Sequence, residues 1–356
     1  MIIYVLNYLA YGLICALHKL EYLNKKVSCI LFAVLQILLV GLRHSLMGLH
    51  DTHFIFLRNL SRIYHFGIDF ILENGKDPLF QYLSLFYTRI FGLNESLYVF
   101  LFSIPYIVVI TYLIYKYSDH IFLSFILFTS TPLFTISFTL MRQINAMSVL
   151  ILAFFALENK KLKSFFILVT IASFLHQVAV IFFIVPFLLK YFNKRSTVLF
   201  LPTLGLVLGF FFRPIIEMFV YLVVDANERF IHMITRAQAN NLTPFFIFLT
   251  IVLATAFFSM KAQDITLKKY VTISSVGLFF LSFTVVNREF ARVGYLFLPF
   301  LIIAYPNALN CIKRKRDKLF IQILSTTVFI IYFLFFLINT TGLYPYVPFW
   351  MSYPLY

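Results

Sequence analysis

The chain has 356 residues, 62% of them hydrophobic and 12% charged, with a mean hydropathy of +0.91. That composition excludes a water-soluble globular domain. The formal net charge of +15 is spread through short loops between apolar runs instead of gathering in one patch, so it argues for membrane topology and against a nucleic-acid partner.

Apolar runs close to the roughly 20 residues needed to cross a bilayer as a helix recur along the chain. They predict an all-α, polytopic integral membrane protein with about ten transmembrane helices, at 2–17, 27–42, 97–115, 121–140, 143–157, 197–212, 244–260, 270–286, 293–310 and 319–338. No soluble domain remains between them, so 1–356 reads as a single transmembrane domain. The first run lacks a basic n-region and a small-residue cleavage site, which predicts an uncleaved first span. Two pieces do not fit as simple spans. The segment 79–92 is short and 164–189 has lysine-rich loops at both ends, so both are expected to re-enter and leave on one side. With both termini outside, this topology satisfies the positive-inside rule throughout and turns 43–77 and 213–243 outward.

The residue types then separate. Inside loops hold 15 lysines and three arginines, while the outside holds ten arginines and only Lys76. Cytoplasmic lysines are ordinary retention signals; outward arginines run against the usual bias. Arginine offers a planar, permanently charged fork that grips phosphate at two points, which suggests a polyanionic ligand handled on the outer face. The plainer alternative for any one of them is snorkelling to headgroups.

In the first outer segment, helical spacing puts Asp51, Arg58, Arg62 and His65 on one face and Phe54, Leu57, Leu60 and Tyr64 on another, the pattern of an interfacial helix. Asp69, Glu73 and Asp77 follow at intervals of four and read as a solvated stripe. Arg142, beside Gln143, stands where two apolar runs meet at the outer face. In 164–189, a helix starting at Ser164 carries His176 roughly 18 Å into a core of roughly 30 Å. An ionisable group at that depth normally faces a protein cavity. His176 and Gln177 are therefore expected to floor an outward-opening cavity, with Gln143 lining it; the alternative is a core histidine donating to a carbonyl. Arg229, His232 and Arg236 share a helical face in the second outer segment, and Arg288 and Arg292 lie one turn apart beside Glu289. Cys15, Cys29 and Cys311 lack metal-ligand spacing, so neither disulfide nor zinc is expected. No Walker loop, G-x-S-x-G or H-E-x-x-H points to a cofactor or metal.

The stretches "GLRHSLMGLHDT", "KDPLFQYLSLF", "FTLMRQINAMSVLILAFFALENKKLKSFFILVTIASFLHQVAVI" and "ARVGYLF" together resemble the EpsG/Wzy family of polysaccharide polymerases in order and spacing, over most of 40–300. The most specific parts are the R-Q-x-x-A block at 142–146 and the A-x-x-x-H-x-x-A block at 172–179. The resemblance implies a metal-independent glycosyltransferase at the outer face of a bacterial cytoplasmic membrane, making O-antigen, capsule or a similar glycan. Its substrates would be oligosaccharides linked to undecaprenyl diphosphate, with membrane lipids, a chain-length regulator and a flippase as partners. Arg142, Arg43 and Arg292 are assigned to the diphosphate, where negative charge builds as it departs. Arg288 and Arg229 are secondary. His176 is the first choice for removing the acceptor hydroxyl's proton and Asp51 the second. Asp51 departs from the family pattern, because "GLHDT" has one residue more than the usual G-x-D-T. Two rivals use the same residues differently: a flippase that only binds the lipid-linked glycan, although no internal repeat supports it, and a membrane sugar O-acyltransferase.

Overall fold

A computed structural model of the chain describes residues 1–47, 57–191, 196–223, 242–259, 264–286 and 290–352, the side chains of 74 and 212–223 excepted. Among these residues the architecture is helical, as the composition requires, apart from one isolated antiparallel bridge. The helices are α1 (Ile2–Lys19), α2 (Lys25–Gly41), α3 (Arg58–Phe66), α4 (Ile68–Asn74), α5 (Pro78–Phe91), α6 (Glu95–Tyr117), α7 (Ile121–Thr129), α8 (Pro132–Thr139), α9 (Met141–Glu158) and α10 (Leu162–Leu175). A 3-10 helix, Gln177–Ile184, leads to α11 (Val185–Tyr191). Then come α12 (Thr197–Val223), α13 (Thr243–Ser259), α14 (Ile265–Ser282), α15 (Phe290–Tyr295), α16 (Leu301–Ala308) and α17 (Lys315–Tyr332), the last running on through a π-turn to Thr340.

Local chemistry sets several of these starts. The side chains of Asn24, Asn94 and Asp264 each accept a backbone N–H from the first turn of the following helix, at 2.8–3.0 Å for Val27, Leu97 and Thr266. Such caps contribute about 1 kcal/mol each. Pro78 and Pro132 occupy the first position of their helices, where a missing N–H costs nothing.

Packing divides the chain into two compact units: residues 1–183 with 314–356, and residues 184–313. In the first, a tyrosine stripe on α1 (Tyr4, Tyr8, Tyr11) is buried against Phe32 and Phe333. Two of its hydroxyls reach the ends of other elements: Tyr8 pairs with the Ser130 hydroxyl at 2.8 Å, and Tyr4 donates to the Leu343 carbonyl at 2.7 Å. The second unit relies on small residues. A Cβ at Gly205 would stand 2.7 Å from the Phe279 carbonyl oxygen, so α12 and α14 approach backbone to backbone, a mode favoured between membrane helices.

Among the described residues, four helices are long and apolar enough to cross a membrane by themselves: Ile2–Lys19, Glu95–Tyr117, Met141–Glu158 and Lys315–Thr340. A fifth span would be the pair α7 and α8, bent by 54°. The expected continuous span 121–140 is thus broken, because Ser130 and Thr131 precede Pro132, which lacks the N–H needed to continue α7. The expected span 293–310 is also in pieces, α15 and α16 with non-helical residues between them. Segment 79–92 forms most of the single helix α5, with no turn-back of its own.

Within segment 164–189, residues 164–183 do double back. It turns at His176, and the returning 3-10 strand sets Phe182 6.3 Å from Phe165 and stacks Phe183 on Phe166 at 5.8 Å, ring centre to ring centre. On α3, Leu60 and Ile63 are buried while Arg58, Arg62 and His65 are exposed, as an interfacial helix requires. Tyr64, expected on the apolar face, is exposed, and Ile63 takes that place.

Candidate active site

Three breaks in helical structure converge on one carboxylate. The first is the α8–α9 junction, where Leu140 leaves the helical region (φ −107°, ψ 60°) before α9 starts. No side chain caps α9. Asn145, one turn in, donates to the carbonyls of Met141 at 2.8 Å and Phe102 at 3.0 Å, fastening the first turn of α9 to α6. Arg142 is held at that fixed point.

The second break is His176. α10 ends at Leu175, His176 is extended (φ −156°, ψ 113°), and Gln177 begins the 3-10 helix. The third is the turn before α5, where Asp77 adopts a left-handed backbone (φ 51°, ψ 54°), a conformation that aspartate tolerates better than most residues. Gln81 reaches back to the Lys76 carbonyl and braces that turn.

Asp77 stands at the N-cap of α5 but does not cap it. Its carboxylate crosses to the other two breaks. Oδ2 accepts from Arg142 Nη1 at 2.6 Å, and His176 Nδ1 lies 3.5 Å from the same oxygen. Oδ1 accepts the Gln177 N–H at 2.8 Å, the first N–H of the 3-10 helix, where the backbone favours an anion. Asp77 is 5% exposed and His176 7%, while the Arg142 side chain keeps 21%. Burial alone pushes the Asp77 carboxyl up; the His176 ring, the Arg142 guanidinium and the Gln177 N–H outweigh it and hold the carboxyl below its ordinary value.

The two ring nitrogens of His176 are buried without a hydrogen-bonding partner among the described residues. An unmade bond of this kind costs about 1–3 kcal/mol. A partly open guanidinium beside a histidine that faces a carboxylate is a set able to hold an anionic leaving group and to accept a proton from a hydroxyl.

The other expected residues are placed differently. Arg43 is wholly enclosed (0% exposed): it donates to the carbonyls of Val40 and Phe138 and to Ser103 Oγ, with Phe138's ring 5.3 Å from its guanidinium carbon. No part of it is open to a ligand in this arrangement. The expected cavity pair Gln143 and Gln177 is separated, with Gln143 in the core and the Gln177 side chain exposed. Neighbours on a helix point about 100° apart, so placing Arg142 at an opening turns Gln143 inward. Arg292 is half-buried on α15 in the second unit. Asp51, Arg229 and Arg288 lie outside the described residues. The reading of Asp77 as part of a solvated stripe with Asp69 and Glu73 is corrected: those two are exposed, Asp77 is not. Its signal in the sequence was the step Asp77–Pro78, which ends one element and starts another and so takes Asp77 out of any common helical face with its neighbours.

The model of the EpsG family matches residues 26–348, nearly the whole chain, a range that contains Arg43, Asp77, Arg142 and His176. No curated protein and no solved structure matches.

Proposed function

The chain belongs to the EpsG family of Wzy-like polysaccharide polymerases, and from that premise we propose that it transfers a growing glycan from undecaprenyl diphosphate to a new lipid-linked oligosaccharide repeat, at the outer face of the cytoplasmic membrane and without a metal. The observation that carries this reading is the convergence of Asp77, Arg142 and His176.

In the proposed reaction the acceptor hydroxyl attacks the anomeric carbon of the donor glycan, and the bond from that carbon to the diphosphate oxygen breaks. Arg142 stabilises the charge gathering on the departing diphosphate, giving up its contact with Asp77 to do so. His176 takes the hydroxyl proton, and Asp77, beside Nδ1, favours the charged ring that results. Asp77 thus acts through the other two as a positioning residue. Arg43 is assigned to bracing the ends of α2 and α8. Arg292, Arg288 and Arg229 remain candidates for further phosphate contacts, and Asp51 for a second proton acceptor.

The deciding experiment gives the purified protein a single lipid-linked repeat. Polymer is expected. Transbilayer movement of the repeat without polymer would make the protein a flippase, and product formation that depends on acyl-CoA would make it an acyltransferase.

A further inference from the structure

At the lysine-rich end of the first unit, α1, α7 and α17 enclose a cavity of about 400 Å³. Its walls are apolar in depth, with Phe32 among them, and polar at one end, where His18, Lys19, Asp119, His120 and Gln322 gather. Nothing in the proposed reaction uses these groups. Arg142 opens α9 at the other end of the bent pair α7–α8, so the two places stand at opposite ends of that pair.

The polar end is built from three separate elements. His18 Nδ1 lies 2.8 Å from the Leu23 carbonyl, so it carries its proton there and leaves Nε2 uncommitted. Lys19, next to it, is exposed. Gln322 Nε2 stands 3.5 Å from His120 Nε2 across the gap between α17 and the start of α7. Helical spacing sets Lys318 and Lys315 one and two turns before Gln322 on the same side of α17, as the end of the basic run "KRKRDK". Asp119 is the carboxylate in the cavity wall, with Asp317 inside the basic run and Glu21 just beyond Lys19, so cations outnumber anions at this end. A second cavity, of about 780 Å³ beside Trp350, has no charged side chain in its wall.

We propose that the 400 Å³ cavity is a binding site for an anionic phospholipid of the leaflet bordering the lysine-rich end. The phosphate would lie against Lys19, His18 and His120, and one acyl chain would enter between α1 and α17. Charge complementarity selects this occupant. Basic pockets between membrane helices on the cytoplasmic side recognise anionic headgroups, and each nearby cation contributes about fivefold in affinity. The proposal is independent of the polymerase reading, because it asks nothing of Asp77, Arg142 or His176.

The test is native mass spectrometry of the full chain after exchange against equal amounts of phosphatidylglycerol and phosphatidylcholine. Phosphatidylglycerol should be retained selectively. Lys19→Glu, at an exposed position, should lower that preference by about tenfold or more, as a cation is exchanged for an anion, whereas Lys19→Arg should keep it. Thr326→Trp, which fills the cavity, should abolish retention; if that variant fails to fold, the Lys19 pair decides alone. Equal retention of the two lipids, or a Lys19→Glu variant indistinguishable from the parent, overturns the proposal. Displacement of the lipid by millimolar inorganic phosphate would show a phosphate site with no role for the acyl chain, and would overturn it equally.

Discussion

Two arginines of the first unit stand a few residues from the same junction and live in opposite surroundings. Arg43 bonds the Phe138 carbonyl in the last turn of α8, and Arg142 opens α9 two residues beyond Leu140. Around Arg43 every hydrogen-bonding partner is a neutral oxygen, and the side chain is sealed. Around Arg142 one partner is a carboxylate, and one fifth of the side chain stays open. A guanidinium sealed in and bonded to carbonyls fixes the shape of the backbone that supplies them. One held by a carboxylate at an opening can exchange that anion for another. An identical residue type therefore serves as a brace in one place and as a ligand for charge in the other.

The sharpest way to break this contrast is to replace Arg142. Arg142→Ala should lower polymer formation by about a hundred- to a thousand-fold, the size of loss seen when one donor to a developing anion is removed. Arg142→Lys should be nearly as damaging, since lysine keeps charge but not the fork. His176→Ala should likewise stop polymer while leaving membrane abundance and lipid-linked substrate binding intact. Polymer made normally by Arg142→Lys, with abundance checked, removes the diphosphate role; normal polymer from His176→Ala returns the proton acceptor to Asp51.

Arg43→Ala should act on the other side of the comparison. It strands the Val40 and Phe138 carbonyls at roughly 1–3 kcal/mol each, so the expected effect is lost thermal stability and lower abundance, with the turnover of surviving molecules unchanged. A stable Arg43→Ala protein with poor turnover would place Arg43 in the reaction and erase the distinction.

Asp77→Asn should be milder, about five- to tenfold in rate, because a charged hydrogen bond is worth roughly 1 kcal/mol more than a neutral one. Rate unchanged, in a variant of normal abundance, would return Asp77 to the status of Asp69 and Glu73. The smallest effect is on stability against pH. The folded carboxyl of Asp77 is held below its ordinary value, so its contribution is complete at neutral pH and is lost as pH falls through the lowered value. The unfolding midpoint of the parent should exceed that of Asp77→Asn by a constant margin down to about pH 5 and by a shrinking one below it. A margin that grows on acidification contradicts the sign.

Much of this was legible beforehand, for a local reason. Hydropathy located many of the helices, and the length of 164–189 against its lysine-rich flanks showed that the chain must turn. Arg142 was visible as a charge between two apolar runs. What stayed hidden is what joins distant residues. Asp77 meets Arg142 across 65 positions and Gln177 across 100, and no periodicity reports such distances. Spacing of four made Asp77 look like a neighbour of Glu73, whereas the turn at Gly75–Asp77 removes it from that face. The enclosure of Arg43 was equally hidden, because its lid comes from the far end of the chain. The break of 121–140 was different: Ser130, Thr131 and Pro132 stand in the sequence at the point where α7 stops.

That lid sets an order of events during synthesis. Residues 42–44 pair with 347–349: the His44 N–H reaches the Val347 carbonyl at 2.7 Å, and the Phe349 N–H reaches the Leu42 carbonyl at 2.9 Å. The ribosome delivers Arg43 early and its cover some 300 residues later. Throughout that interval the first unit lacks its final clasp, while the whole of the second unit, 184–313, is being made and inserted. A chain stalled anywhere before residue 347 would leave the Arg43 segment without that clasp.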